Sequence, residues 1–426
     1  MNKVIAYIVS WHVAYASGNL NNGTNAGVTY LNANNGSGDA NVNIGSQLCG
    51  CIKKLIYKNL LYAKTMALAK IENILKKVLV AKANALNSQS QIMKRISNLY
   101  ERVYDLENIR KAHKNAKKQK GHYFEVQKIC SNPDGYFLEI RKMLMEKTYI
   151  PSPYIIFKKK DYHKEREISK SPYFPDRIIQ HCIMQILEPI WDKTVIRDTY
   201  ASIKKRGIHD GLNRIKMALK NFKGTQYCLK LDIRKFYPSI NHDILKSIIR
   251  KKIKDNDMLW LLDTIIDSTQ SGIPIGNYLS QHFGNIYLTY LDHWLKEEKK
   301  VKYYFRYCDD LVIIHSDKDW LHKILSEIDQ YLSSNLKLQV KDNYQIFPVE
   351  KRGIDFLGYR FYHSHILLRK SIALRLKSKI KKLSEKAFLN FKDICSIASY
   401  KGWLMHANCY NLTQKYFTQL NGKAIS

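Results

Sequence analysis

The sequence is short of negative charge. Its 426 residues carry 37 Asp and Glu against 70 Lys and Arg, a formal net charge of +33. An excess of that size excludes a polycationic partner and calls for a polyanion. Nucleic acid suits a chain of enzyme size better than an anionic membrane surface. Such binding is mostly phosphate contact and therefore falls steeply with salt. Long apolar runs are also missing: no stretch reaches the roughly 18 residues that a helical membrane span needs. Patterned cysteine is missing too. The eight cysteines, at 49, 51, 130, 182, 228, 308, 395 and 409, are scattered. That excludes a zinc-ligand array and a disulfide frame, and reads as reduced thiols in a cytosol. Cys49-Gly50-Cys51 has no second pair of ligands nearby. The length allows two to three domains with ample core.

What is present is organised around Tyr307-Cys308-Asp309-Asp310. The apolar, β-rich runs Val301–Arg306 and Leu311–His315 flank it, which predicts strand, tight turn, strand. Two acids at a hairpin tip repel each other unless a cation sits between them, although Asp-Asp pairs are also common in solvated loops. Upstream, Cys228–Ile233 reads as a strand ending near Asp232, followed by Phe236-Tyr237-Pro238-Ser239. If the two strands are neighbours, three carboxylates converge. Such a group suits hard divalent cations that keep waters for substrate phosphates, and two ions about 4 Å apart can clamp a phosphoryl transfer.

With these residues in place the chain resembles the palm of reverse transcriptases. Gly272-Ile273-Pro274-Ile275-Gly276-Asn277-Tyr278-Leu279-Ser280-Gln281 stands where that family has its third palm motif, opening a long helix. Arg352-Gly353-Ile354-Asp355-Phe356-Leu357-Gly358-Tyr359 looks like its primer-grip hairpin. Most of the family has Pro-Gln-Gly and Ser-Pro in the third motif; this chain has Pro-Ile-Gly and Ser-Gln. Those departures resemble the reverse transcriptases of diversity-generating retroelements, as do Asp198-Thr199-Tyr200-Ala201 and Lys205-Arg206-Gly207. The resemblance implies an α+β right-hand polymerase with fingers, a palm built on an antiparallel sheet, and a small helical thumb. The corresponding divisions are 93–225 for an N-terminal extension and fingers, 226–362 for palm and 363–426 for thumb. It also implies error-prone, adenine-mutagenic cDNA synthesis from a template-repeat RNA, for retrohoming into a target gene. Retron- or defence-type enzymes share the minimal layout and are the alternative. A catalytically idle RNA-binding module is disfavoured by the intact acids. No ribonuclease H domain, endonuclease cluster or maturase extension fits after the thumb, which disfavours an intron-encoded enzyme.

Roles are carried over position by position. Asp232, Asp309 and Asp310, with the Ile233 carbonyl, would hold two Mg²⁺ ions, for which Mn²⁺ can substitute. Arg166 matches the family's triphosphate-binding Arg, with Lys159 or Lys158 as a Lys partner; a solvated basic hairpin is the plainer reading. Tyr237 would wall off the sugar 2′ position, or simply pack in the core. Ile275 and Gly276 would border the nucleotide. Ile275 removes an amide that elsewhere bonds near sugar and primer, worth on the order of 1 kcal/mol of positioning. Gln281 would face the templating base or cap nothing. Lys341 matches a lysine proposed to protonate pyrophosphate. Nucleic-acid contacts are expected from Arg177 (unless it pairs with Asp176), Arg206, Tyr307, Gly358, Arg369, Lys370, Arg375 and Lys379. His181 is expected to be a packed helix residue. The implied partners are template RNA, the RNA/cDNA duplex, dNTPs and a small basic helical-bundle accessory protein, a pentamer. No membrane is involved, and the setting is the cytoplasm of a bacterial, phage or archaeal host.

Residues 1–50 break from the rest, with ten Asn, seven Gly, one Lys and one Asp. Val4–Ala16 imitates a secretory signal, but nothing downstream suits export. Ser17–Gly27, Leu31–Asn35 and Asn41–Cys49 look like a translated template repeat, whose adenine-rich codons yield Asn. Fifty residues are too few for the lectin-like domain such repeats complete, and an Asn/Gly-rich tail is the plainer reading. Residues 51–92 read as a basic linker or helix. Met93-Lys94-Arg95-Ile96 resembles the usual start of these enzymes, so polymerisation is expected to need only the chain from about Met93. A helix is expected over 93–120, and basic helices over Arg369–Phe388 and Ile394–Tyr410.

Overall fold

The computed structural model describes residues 95–161, 164–420 and 424–425. The chain divides into the units Met1–Ile92 and Met93–Ser426. The signal-like, repeat-like and linker readings of residues 1–92 lie outside the described residues.

The expected helix over 93–120 is two helices. Tyr100–Val103 is followed by a break, and α1, Leu106–Ala116, starts anew because the Asp105 carboxylate accepts from Asn108 N and caps it. Two antiparallel strands follow, β1 (Ile155–Asp161) and β2 (Lys164–Lys170), paired with Lys159 opposite Arg166. Next comes α2 (Ile178–Trp191), whose residues are apolar almost all round and mostly buried, as for a helix central to its layer. Helix α3 (Ile208–Leu219) leads into the palm.

The palm sheet has four strands, β3 (Tyr227–Asp232), β4 (Tyr303–Tyr307), β5 (Asp310–His315) and β6 (Gln345–Pro348), in the order β4-β5-β3-β6. All neighbours are antiparallel. Successive strand residues point to opposite faces, and here both faces are covered. Leu229, Leu231, Leu311, Ile313 and Tyr304 join one core. Cys228, Val312, Ile314, Phe305 and Phe347 join the other. The first core is filled by α4 (His242–Arg250), α5 (Tyr278–His293) and α6 (Lys318–Leu336). Asn241 caps α4 as expected, its side chain accepting from Ile244 N at 3.0 Å.

The second core continues into a three-stranded sheet, β7 (Ile354–Phe356), β8 (Tyr359–Phe361) and β9 (Ile366–Leu368), and then into the C-terminal helices. The expected basic helices are shorter than read: α7 is Lys370–Ser384, and Ile394–Tyr410 is split into α8 (Phe391–Leu404) and α9 (Tyr410–Phe417). Gly358 makes the β7–β8 turn at φ +85°, and a Cβ there would lie 2.5 Å from the Trp403 ring. Gly358 is buried, so the nucleic-acid contact expected of it gives way to packing: only glycine lets the hairpin meet α8 so closely. No helix among the described residues is long and apolar enough to cross a membrane.

Candidate active site

Register places the acids. Asp232 ends β3 and Asp310 begins β5, and the two are direct partners across the antiparallel pair. Carboxylates opposite one another in this way are close enough to repel. Tyr307 pairs with Asp310, so Cys308 and Asp309 form a two-residue turn, with Cys308 at φ +59°. The sequence expectation of three acids at two strand ends is what the backbone builds.

Burial pushes the Asp309 carboxyl up to about 6, and the charge of Asp232 adds to it. Burial also pushes Asp310 up to about 6, against the pull of the Lys230 ammonium and with the push of Asp232. Two lysines bracket the group. Lys341 Nζ donates to Asp232 Oδ2 at 3.3 Å, and Lys230 Nζ lies 3.5 Å from Asp310 Oδ2 while donating to the Asp355 carbonyl. Asp310 Oδ1 is buried without a hydrogen-bond partner. Among the described residues no three His, Cys, Asp or Glu side chains close into a preformed metal cage. An open, carboxylate-rich site with an orphaned oxygen is nonetheless the donor set Mg²⁺ takes, since it binds through one or two carboxylates and fills the rest with water and phosphate. Asp232, Asp309 and Asp310 therefore fit the metals. The flanking backbone at Ile233 is held by a bridge to Val340.

Sequence reasoning missed what supports the turn. Arg306 is fully buried and forms an ion pair with Asp292 at 2.6 Å, both side chains 0% exposed. Its Nη1 donates to the Cys308 carbonyl at 2.9 Å and to Asn285 Oδ1 at 3.2 Å. Tyr304 Oη donates to Asp292 Oδ1 at 2.6 Å. The signals were a charge inside an apolar strand and two polar residues seven apart on one face of α5. The backbone N–H of Arg306 donates to the Asp198 carbonyl, and Tyr200 N donates to the Arg306 carbonyl. The Asp198–Ala201 motif is thereby an extra partner of β4. Lys230 was missed too, although it shares a face with Asp232 two residues on.

The remaining expected residues separate into groups. Tyr237 is beside the acids, its Oη 3.0 Å from Cys308 Sγ. Burial raises both groups, the Cys308 thiol to about 11, so both keep their protons near neutrality. The Ile275 carbonyl accepts from Ser169 N at 2.7 Å, fastening the third-motif loop to β2. Gly276 there has φ +118°, with space for a Cβ closed by Ile168 and Ser169. Gln281 is exposed, and its Oε1 accepts from Ser202 Oγ at 2.7 Å. Lys159 is exposed on β1, Lys158 lies 3.6 Å from Glu165, and the Arg166 side chain lies outside the described residues. Arg177 does not pair with Asp176: that carboxylate accepts from Tyr149 Oη and Ser152 N instead. Arg177 Nε is buried without a partner. His181 packs as expected, stacked on Tyr278 at 4.1 Å, and burial, then Arg177, lowers it to about 4. Arg206 donates to the Ile196 carbonyl. Arg369 bonds Asp355 at 2.6 Å and Lys379 bonds Asp393 at 3.3 Å, while Tyr307, Lys370 and Arg375 are exposed. A cleft of about 410 Å³ runs from Asp232 and Asp310 past Lys230 and Lys341 to Arg352 and Arg360. It is acidic at one end and cationic along its walls.

Residues 157–361 match the family described as reverse transcriptase (RNA-dependent DNA polymerase). Among curated proteins, Protein YkfC of Escherichia coli is 24% identical over 233 residues, 44% of this chain and 61% of that one. The group II intron-encoded protein LtrA of Lactococcus lactis is 25% identical over 327 residues, 58% of this chain and 53% of that one. The chain thus spans little more than half the length of the relatives it matches. Telomerase from Candida albicans, in complex with a fragment of telomeric RNA, aligns with a TM-score of 0.43 at 13% identity, covering 65% of this chain and 57% of that one. The matched segment, just under half of the chain, contains most of β1, all of β2, the whole palm sheet and all three acids, and the likeness to a reverse transcriptase domain rests on it.

Proposed function

We propose that the chain is an RNA-directed DNA polymerase of a diversity-generating retroelement, making adenine-mutagenic cDNA from a template-repeat RNA for transfer into a target gene. The observation that carries the polymerase reading is the pairing of Asp232 with Asp310 across β3 and β5, with Asp309 in the adjoining turn. Mg²⁺ ions bound there, or Mn²⁺ in their place, would offset charge on the attacking and leaving oxygens. The protein's own part is positional. Arg306 pins the turn that carries Asp309, and Lys341 holds Asp232. The cationic walls of the cleft receive phosphates, and the loop at Ile275 and Gly276 ties the palm to the β1–β2 hairpin that carries Lys159 and Arg166.

The subgroup reading is supported by Ile275 and Gln281. The loop at Ile275 is fastened through its backbone to β2, and Gln281 is engaged by Ser202. The nucleotide is then met by shape where relatives offer an amide, and apolar shape separates similar ligands poorly. Because the loop's hold is a main-chain one, Ile275→Gln changes the side chain while leaving that anchor in place. The experiment is sequencing of cDNA from one adenine-rich RNA template copied by both proteins. The expected result is frequent error at template adenines in the unmodified enzyme and fewer with Ile275→Gln. Equal, low error at adenines removes the mutagenic reading and favours the retron-like alternative. The accessory pentamer of the resemblance is basic, like this chain, so the two would meet through RNA rather than by charge attraction. We place the reaction in the cytoplasm of the host.

A further inference from the structure

We infer that Cys308 is a positioning residue for sugar selectivity: its thiol holds the Tyr237 ring at the spacing that admits a deoxyribonucleotide and refuses a ribonucleotide. The inference rests on the reading of Tyr237 as the wall at the sugar 2′ position.

The ring is bounded on two sides. Behind it runs α5, where a Cβ on Gly284 would lie 3.2 Å from Tyr237 Cε1 and 3.5 Å from its Oη. The helix backbone is therefore against the ring, and retreat in that direction is closed. On the other side Oη meets Cys308 Sγ at 3.0 Å. The backbone of Cys308 is itself tethered. It sits in a two-residue turn at φ +59°, and its carbonyl is held by Arg306, which is locked to Asp292 in the core. The thiol is thus a fixed post, on the same turn as Asp309. A wall that must detect one hydroxyl group fails if it can move by about the size of an atom. Cys308→Ala removes the bond and opens such a space on the side that α5 does not back. Cys308→Ser keeps a hydroxyl that can bond Oη, so it should restore the hold.

The test compares incorporation of each ribonucleotide with its deoxyribonucleotide on one primer–template, taking kcat and KM separately. Cys308→Ala and Tyr237→Phe are each expected to lower the preference for deoxyribonucleotides roughly fivefold, the worth of one neutral hydrogen bond. The double variant should be no worse than either single one, because both remove the same contact. Cys308→Ser should lie near the unmodified enzyme, and Tyr237→Ala should lose most of the preference. If Tyr237→Ala loses it while Cys308→Ala keeps it, the Cys308 inference is overturned and the wall stands. If Tyr237→Ala leaves the preference unchanged, the reading of Tyr237 itself is overturned. A general loss of activity with an unchanged ratio in Cys308→Ala also overturns the inference, since a purely structural role predicts that pattern.

Discussion

Asp309→Asn separates the cost of the acid site from its use. A carboxyl that ionises near 6 in place of 3.8 resists ionisation at neutral pH by about 3 kcal/mol. The turn is partly open to water, which screens this to about 1–2 kcal/mol. The sign follows from proton binding. The folded state holds the Asp309 proton more tightly than the unfolded chain does. The stability it lends is full below about pH 4 and is lost as pH rises through about 6. At pH 7.5 without metal the native protein carries that penalty, and an amide at 309 does not. Asp309→Asn is expected to raise the melting temperature in chelator by about 1–4 °C at pH 7.5, and the gain should vanish near pH 4. Added Mg²⁺ should stabilise the native protein more than the variant, narrowing or reversing the order. Primer extension by the variant should be abolished with RNA binding nearly intact. The assays are thermal melts at the two pH values with and without metal, and extension of one primer–template. A variant that melts below the native protein at pH 7.5 in chelator, or one equally favoured at both pH values, would refute the charge argument. Polymerisation by the variant at the native rate would refute the site.

Three further outcomes are expected. Activity at fixed, subsaturating Mg²⁺ should fall as pH drops through about 6, because protons on Asp309 and Asp310 compete with metal; a rate–pH profile whose acid limb moves lower with added Mg²⁺ checks this. Arg306→Gln should cost about 3–5 kcal/mol in urea unfolding, since it leaves Asp292 buried without its ion pair; Arg306→Met with Asp292→Leu should recover much of the loss in stability but not in activity. A chain beginning at Met93 should polymerise like the full one in primer extension, and a folded but inactive product would make residues 1–92 a functional arm.

The hairpin that carries Asp309 and Asp310 was legible because a short turn between two strands is a local matter. Apolar, β-rich runs end at Asp232 and restart at Asp310, and a short turn leaves little freedom in how the hairpin closes. Three of the four palm strands, the β1–β2 hairpin, the cap at Asn241 and the buried His181 follow from patterns within a few residues, whereas the edge strand β6 was not read. Helix ends were less legible. Asp105 caps a new helix inside a stretch that reads as continuous, and the basic run after Arg369 continues past the last helical turn at Ser384.

The sequence by itself determined that one acid ends a strand, that two more sit at a hairpin tip, and that the chain is strongly basic; that β3 and β5 are neighbours, so that the three acids meet, was decided by the tertiary structure. Tertiary structure alone decided which side chains hold that triad. Tyr237 and Cys308 are 71 positions apart, and Lys341 and Asp232 are 109 apart. Arg306, Asp292 and Asn285 meet only because α5 packs against β4. That Tyr237 is bounded by Gly284 on one side and Cys308 on the other could not be read from the sequence. Periodicity tells which face a residue takes, and that is set by neighbours along the chain. Which atom it meets on that face is set by close packing between distant segments, and no local pattern encodes it.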